Sequence, residues 1–240
     1  MTITTAPDRS GHTSRHGQPV VIAVLIAVVA LAVTGVAVLV RGASSNSGVQ
    51  GSGVAVTQTR AVARFTGLDL AGSNNVTVII GRPQSVAVHA DNNLVNHVTT
   101  RVMAGTLVIG DTGSFTTRTP MSVDITVPSL TALNLSGDGQ ISVTGISAPL
   151  LTVTVSGSGL LSAAGTVTRL DVTLSGDGQA QLSQLTASDV HAVVSGSGLI
   201  QVTATTSLDA AVPGSGAIIY SGNPPQVTTS VTGTGTITRG

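Results

Sequence analysis

Three residues with acid–base and metal-binding side chains, Asp171, His191 and Asp209, recur at a nearly constant spacing along the chain. Each stands four residues before a glycine-containing turn, and Thr152 and Thr228 hold the same position in the repeats on either side. If the repeats stack as neighbouring strands, the three side chains lie about 4.8 Å apart on one face. Two carboxylates beside an imidazole can bind a metal ion, or stabilise the cationic histidine and prepare it to act as a base. The alternative is a solvated charge ladder that supports stacking and discourages lateral association.

Two further carboxylates, Asp138 and Asp177, lie inside Ser-Gly-Asp-Gly turns, and Ser158 occupies the equivalent position between them. Stacking would separate the two carboxylates by two strand spacings, about 9.6 Å, which is too far to share one ion. Asp is common in turns because its side chain bonds nearby backbone amides. We therefore favour a structural role in the turn over calcium binding for these two residues. The Gly-x-Gly sequences open no helix, so they do not offer the helix N-terminus that receives phosphate in nucleotide-binding motifs. We predict no cofactor.

The overall composition excludes several classes of function. All ten acidic residues are Asp, all ten basic residues are Arg, and the formal net charge is zero. A nucleic-acid partner is therefore not expected, because no excess of cations is available to neutralise phosphates. The chain contains no cysteine, which excludes disulfides, thiolate metal sites and a cysteine nucleophile. No pair of Asp residues has an obvious general acid and base arrangement, and the Ser-Gly turns lead into strands and not into a nucleophile elbow.

The elements that must position these side chains are set by a repeat of about 19 residues. A four-residue turn starts at positions 136, 156, 175, 195, 213 and 232. The residue before each turn is aliphatic, as are the positions five residues before and five residues after its start; the first of these columns is Leu135, Val155, Leu174, Val194, Val212 and Val231. Alternation of aliphatic and polar residues predicts short strands, and fixed columns predict coils stacked in register.

We therefore predict an all-β fold, a right-handed parallel β-helix, with its hand taken from the usual rule for parallel crossovers. A β-sandwich is the competing fold, but it would place turn signals every 8–12 residues and not one turn in fixed register. The repeated glycines are expected to supply positive φ angles at the corners. Met103–Thr106 is expected to form a hairpin turn. With only three aromatic residues, the core must consist of Val, Leu, Ile and Ala.

An apolar run, Val20–Val40, precedes the repeats and predicts a transmembrane anchor. At 1.5 Å per residue its 21 residues would span roughly 30 Å, the thickness of the hydrocarbon core. Arg9 and Arg15 precede the run and Arg41 alone follows it, which favours a cytoplasmic N-terminus. The predicted plan is a short cytoplasmic segment (1–19), the anchor (20–40), a Gly/Ser-rich linker (41–60) and an extracytoplasmic β-helix (61–240). A cleaved signal peptide, which would leave a secreted protein, is the alternative.

The residues after the predicted linker resemble a known bacterial family. The stretch from Phe65 to Val78, the stretch from Ser85 to Leu94, and Val127-Pro128-Ser129-Leu130 leading into the first Ser-Gly-Asp-Gly turn look like the head GIN domain family, whose members are labelled autotransporter adhesins. The resemblance covers about residues 61–238. It implies a right-handed β-helix and, through the family's label, a role in adhesion.

Two classes of function follow from these observations. The first is a non-catalytic module of the cell envelope, held at the plasma membrane by Val20–Val40, that binds a cell-wall polymer or an envelope protein. The second is a polysaccharide-processing enzyme that uses the face of Asp171, His191 and Asp209. We favour the first, with no catalytic or cofactor-binding residue, and expect a concave groove around the three residues if the second is right.

Overall fold

The computed structural model describes residues 48–240, and within this range the secondary structure consists of strands. The shorter, N-terminal strands are β1 (Val49–Gln50), β2 (Ala55–Thr59), β3 (Gly67–Leu70), β4 (Asn75–Ile80), β5 (Ser85–Asp91), β6 (Val98–Met103), β7 (Thr106–Asp111), β8 (Phe115–Thr116), β9 (Ser122–Val127) and β10 (Ala132–Leu135). The C-terminal strands are β11 (Gln140–Val155), β12 (Leu160–Leu174), β13 (Gln179–Val194), β14 (Leu199–Val212), β15 (Ala217–Gly222), β16 (Gln226–Val231) and β17 (Thr236–Arg239).

The predicted anchor, Val20–Val40, and the segment before it lie outside the described residues. In the part of the chain that is described, no helix has the length and apolar character needed to cross a membrane. The described residues, 48–240, all lie within one compact unit. Because this unit contains the whole repeat region and its core, a fragment spanning 45–240 is the natural form for experiments.

The C-terminal half is a solenoid of stacked parallel strands, which confirms the predicted all-β, repeat-based fold. Strands β10 to β14 pair in sequence order, and the column before the turns is in register: Leu135 lies beside Val155, Val155 beside Leu174, and Leu174 beside Val194. All four side chains have a relative exposure of 0%, so the column faces the interior. Like side chains therefore stack on like, and the buried side chains of β10 to β14 are aliphatic.

The glycines of the repeated turns serve a different purpose from the one the sequence suggested. The structure places positive φ angles at another corner of the coil, at Gly145, Gly165 and Gly222, and at none of the repeated-turn glycines. The turn glycines are instead required by the close approach of stacked backbones. A Cβ on Gly157 would lie 2.0 Å from the carbonyl oxygen of Gly137 in the preceding coil. The prediction of positive φ was wrong for these turns. Glycine is required there because the neighbouring coil leaves no space for a side chain.

The N-terminal part does not follow the simple stacking order of the C-terminal half. Strand β3 pairs with β7 on one side and β10 on the other, and β4 likewise lies between β9 and β11. The coil formed by β3 and β4 therefore lies between two coils that both follow it in sequence. One contains β7 and β9, and the other, with β10 and the start of β11, is the first regular repeat. After β9 the chain must pass this inserted coil before it enters β10.

Antiparallel strands cover this end of the solenoid. Strand β5 pairs antiparallel with β9 and with β2, and β6 and β7 form an antiparallel hairpin. The hairpin confirms the turn predicted at Met103–Thr106; its central residues, Ala104 and Gly105, have φ angles of 48° and 77°. Strands β1 and β2 fall inside the predicted linker, 41–60, so ordered strands begin before the predicted domain boundary at residue 61.

Candidate functional site

Asp171, His191 and Asp209 lie on neighbouring strands, as the repeat predicted. Asp171 pairs with His191 across β12 and β13, and His191 pairs with Asp209 across β13 and β14. The side chains nevertheless do not converge. His191 Nδ1 lies 3.2 Å from Asp209 Oδ2, whereas Asp171 accepts hydrogen bonds from the Nε of Arg169, at 2.9 Å to Oδ1 and 3.2 Å to Oδ2. Only one of the two carboxylates therefore contacts the imidazole.

The surroundings of these three residues are open to water. The exposed fraction of the side chain is 44% for His191, 62% for Asp209 and 30% for Asp171. Exposed ion pairs of this kind contribute about 0–1 kcal/mol to stability. Among the described residues, no set of three or more metal-ligating side chains is grouped around a common point. The geometry is that of a charge ladder on the outer surface of the solenoid.

Asp138 and Asp177 are both exposed in their turns, with the Ser158 turn between them. Within residues 48–240 neither carboxylate takes part in a hydrogen bond or an ion pair, so the side-chain bond to a turn amide expected from the sequence is not formed. The turns are joined instead by backbone bonds between coils, such as that from the Gly178 N–H to the Gly157 carbonyl at 3.1 Å. The structure does not bring these two carboxylates together with a third ligand.

A polar cluster that the sequence did not predict lies on the antiparallel strands. The hydroxyl of Thr57 is 2.8 Å from Nδ1 of His89, and Nε2 of His89 is 3.0 Å from Oδ2 of Asp124. The order of groups is that of a hydroxyl–imidazole–carboxylate triad. However, Nε2 has no aligned hydrogen-bond partner, and the Asp124 side chain is 59% exposed. The cluster is therefore a cross-strand polar contact, and no spacing signal could have revealed it because its members come from three distant strands.

Asp91, at the end of β5, is a buried carboxylate that is not among the candidate residues predicted from the sequence. Its oxygens accept hydrogen bonds from the backbone N–H of Gly53 at 2.7 Å, of Arg118 at 2.9 Å and of Thr119 at 3.3 Å. The N–H of Arg118 has the largest effect in lowering the pKa of Asp91; burial opposes it, and the other two amides add to the lowering. Asp91 thus holds two loops against β5 and has a structural role.

A cleft of about 680 Å³ lies where four connecting segments meet near the antiparallel end. Two arginines, Arg64 and Arg82, line it together with the rings of Phe65, Pro83 and Pro128. This volume is within the usual range of about 300–1,000 Å³ for ligand pockets. The cleft could not be predicted from the sequence, because its walls come from segments far apart in the chain and no periodic pattern marks connecting segments.

Stacked parallel coils with polar outer ladders, covered at one end by antiparallel strands, define the protein as a β-solenoid domain. The chain belongs to the family described as "Putative auto-transporter adhesin, head GIN domain", whose model matches residues 64–224. The resemblance stated from the sequence is thereby confirmed.

Solved structures agree with this assignment. The chain is similar to a "putative adhesin" from Bacteroides fragilis, with a TM-score of 0.65 and 24% identity over 80% of this chain and 100% of that chain. It is also similar to a "putative lipid binding protein" from Parabacteroides distasonis, with a TM-score of 0.53 and 22% identity over 80% of this chain and 99% of that chain. At these identities the similarity is one of fold. No curated protein matches the chain.

Proposed function

We propose that this protein is a non-catalytic module of the cell envelope, a membrane-anchored right-handed β-helix that binds a surface polymer or an envelope protein through its outer faces. The observation that carries the proposal is a row of amide and hydroxyl side chains on consecutive coils. Ser142, Ser162, Gln181 and Gln201 lie beside one another on β11 to β14. Neighbouring members are separated by one strand spacing, about 4.8 Å, so the row offers a regular series of donors and acceptors.

A repeated row of this kind suits an extended ligand better than a small one. Each position can contribute one hydrogen bond, and a polymer that follows the solenoid axis would meet several of them at once. The individual contacts are weak, but linked contacts add through effective concentration. The family description, which names adhesins, is consistent with this mode of binding.

The membrane anchor in this proposal rests on the sequence of Val20–Val40 and on the arginines beside it. It would hold the solenoid on the outer side of the plasma membrane. The secreted alternative differs only in whether this segment is removed, and it leaves the binding surface unchanged.

The polysaccharide-processing alternative receives no support from the arrangement of Asp171, His191 and Asp209. A glycosidase needs an acid and a base, or a nucleophile, on either side of the scissile bond. Here one carboxylate is bonded to Arg169 and the remaining pair is exposed.

A co-sedimentation experiment tests the binding proposal. The fragment 45–240 is mixed with purified, insoluble cell-wall material, and the bound fraction is measured as wall concentration rises. We expect saturable binding that is reduced in the double variant Gln181→Ala/Gln201→Ala. The double variant Thr154→Ala/Thr173→Ala, on another face, is the matched control.

If only the control variant lost binding to the cell-wall material, the binding surface would lie on that second face. Binding through an outer face of the solenoid would still be supported. Absence of saturable binding by the unmodified fragment, to wall material and to extracted envelope proteins alike, would contradict the proposed function.

A further inference from the structure

The cleft lined by Arg64 and Arg82 concentrates positive charge in a protein with no net charge. Both arginines are exposed, and neither takes part in an ion pair or a side-chain hydrogen bond within residues 48–240. Some of the other arginines have partners, since Arg169 bonds the carboxylate of Asp171 and Arg239 donates to the carbonyl of Gly222; Arg101 and Arg118 do not line this cleft. Two arginines without a described anionic partner therefore line one cavity.

The walls of the cleft are held in place by hydrogen bonds between the segments that form it. Gln84 donates its Nε2 hydrogen to the carbonyl of Ala63 at 3.0 Å, which joins the segment carrying Arg82 to the one carrying Arg64. The N–H of Thr66 donates to the carbonyl of Gly105 at 3.0 Å. Because these bonds already hold the segments in place, a ligand does not have to order them, and less free energy is lost when it binds.

The floor of the cleft is apolar. Phe65, which is 4% exposed, lines it together with Pro83 and Pro128. An apolar, low-dielectric wall in a cleft that carries charges of one sign strengthens the electrostatic field in the cavity. The guanidinium plane presents parallel N–H donors that match the two oxygens of a carboxylate or a phosphate.

From this arrangement we propose that the cleft binds the oxyanion of an acidic polymer, a carboxylate or phosphate group on a polysaccharide-like chain. The proposal rests on the envelope-binding function proposed above and names the chemistry of the ligand. The cavity accepts a group attached to a sugar or polyol, because the prolines and Phe65 offer an apolar surface beside the charged groups. The shared feature of the carboxylate and phosphate ligands is a pair of equivalent oxygens.

Binding measurements with defined probes test the proposal. Fluorescently labelled oligogalacturonate supplies carboxylates, an oligomer of glycerol phosphate supplies phosphodiesters, and a maltooligosaccharide is the uncharged probe. The fragment 45–240 is titrated against each at two salt concentrations. We expect at least one anionic probe to bind, with affinity that falls as salt rises, and the uncharged probe not to bind. The probe that binds distinguishes the carboxylate from the phosphate source.

Variants locate the binding in the cleft. Arg64→Gln/Arg82→Gln is expected to weaken binding of the anionic probe at least tenfold. Arg64→Lys/Arg82→Lys keeps the charge but loses the planar donors, so an intermediate loss is expected. Arg169→Gln removes one positive charge three coils along the stack, outside the cleft, and is expected to leave the affinity within twofold of the unmodified fragment. Thermal unfolding of each variant checks that the fold is retained.

Several results would overturn the inference. They are failure of both anionic probes to bind, equal binding by the Arg64→Gln/Arg82→Gln variant, and an equal loss in Arg169→Gln. Binding to vesicles containing anionic lipid, but to neither polymer, would replace the polymer with a membrane surface and also count against the proposal. If the cleft variant still co-sediments with cell-wall material, this inference fails while the proposed function stands. If the unmodified fragment does not co-sediment, the proposed function fails.

Discussion

Replacement of Gly157 by alanine tests how closely the repeated turns are stacked. A Cβ at this position would lie 2.0 Å from the carbonyl oxygen of Gly137, and Cβ atoms essentially never approach such an atom within 3.0 Å. The turn would therefore have to move by about 1 Å. Hydrogen bonds oppose the movement from both sides: Gly157 donates to Leu135, and its carbonyl accepts from Gly178. The strain cannot be relieved by rotating a side chain, because the atom that is met belongs to the backbone.

Overpacking in a well-packed region costs about 1–3 kcal/mol, and a backbone clash belongs at the upper end, about 3 kcal/mol. For a domain of this size, 1 kcal/mol corresponds to a change in Tm of about 2–4 °C, so we expect a decrease of about 6–12 °C. The assay is thermal and urea unfolding of the fragment 45–240, with both midpoints compared with those of the unmodified fragment.

Two other glycines separate the possible causes. A Cβ on Gly110 would meet only Thr99 Oγ1, at 3.6 Å, so Gly110→Ala should be neutral or slightly stabilising. A Cβ on Gly105 would have no atom within 4 Å, but its φ of +77° should cost Gly105→Ala about 1–2 kcal/mol. If Gly157→Ala unfolds at the same midpoint as Gly110→Ala, the explanation by close approach of coils is refuted.

Three further predictions can be tested with standard methods. Ile200 has 0% exposure and its half-buried neighbour Gln201 points outward, so Ile200→Asp should cost several kcal/mol in urea unfolding and Gln201→Asp within about 0.5 kcal/mol; equal losses would contradict the column register. Because the pKa of Asp91 is lowered in the folded state, its stabilisation should be complete above the unfolded-state value near 3.8 and be lost as pH falls through the folded-state value. Asp91→Asn should therefore reduce the unfolding free energy at neutral pH and flatten its decline in acid, and an unchanged pH profile would count against this role. If Val20–Val40 is retained as an anchor, the intact mass of membrane-extracted protein should include that segment; a mature start near Ser44 would indicate cleavage.

The candidate site could be predicted from the sequence only in part. The repeat correctly placed Asp171, His191 and Asp209 on adjacent coils, because residues at equal positions in a stacked repeat must be neighbours. It did not predict which side chains pair. Asp171 bonds Arg169, two residues away, because alternate residues of a strand share a face. That contact was visible in the sequence, and it competes with the longer-range contact to His191.

The sequence by itself determined the regular part of the solenoid. Columns such as Leu135, Val155 and Leu174 repeat at nearly constant intervals, and each coil needs only its immediate neighbours to bury its inward side chains. The repeat therefore contains the contact information, and a one-residue shift would turn every inward aliphatic side chain toward water.

Only the tertiary structure decided the arrangement of the N-terminal end. The insertion of β3 between β7 and β10, the cross-strand contact of His89, and the cleft of Arg64 and Arg82 all join segments without a common period. Such contacts depend on which exposed strand edges remain for β2, β5 and β6 to cover after the coils have stacked. Their register is set by packing over long separations in the chain, and no local pattern specifies it. The same reason explains the turn glycines, whose need for space arises only when another coil lies against them.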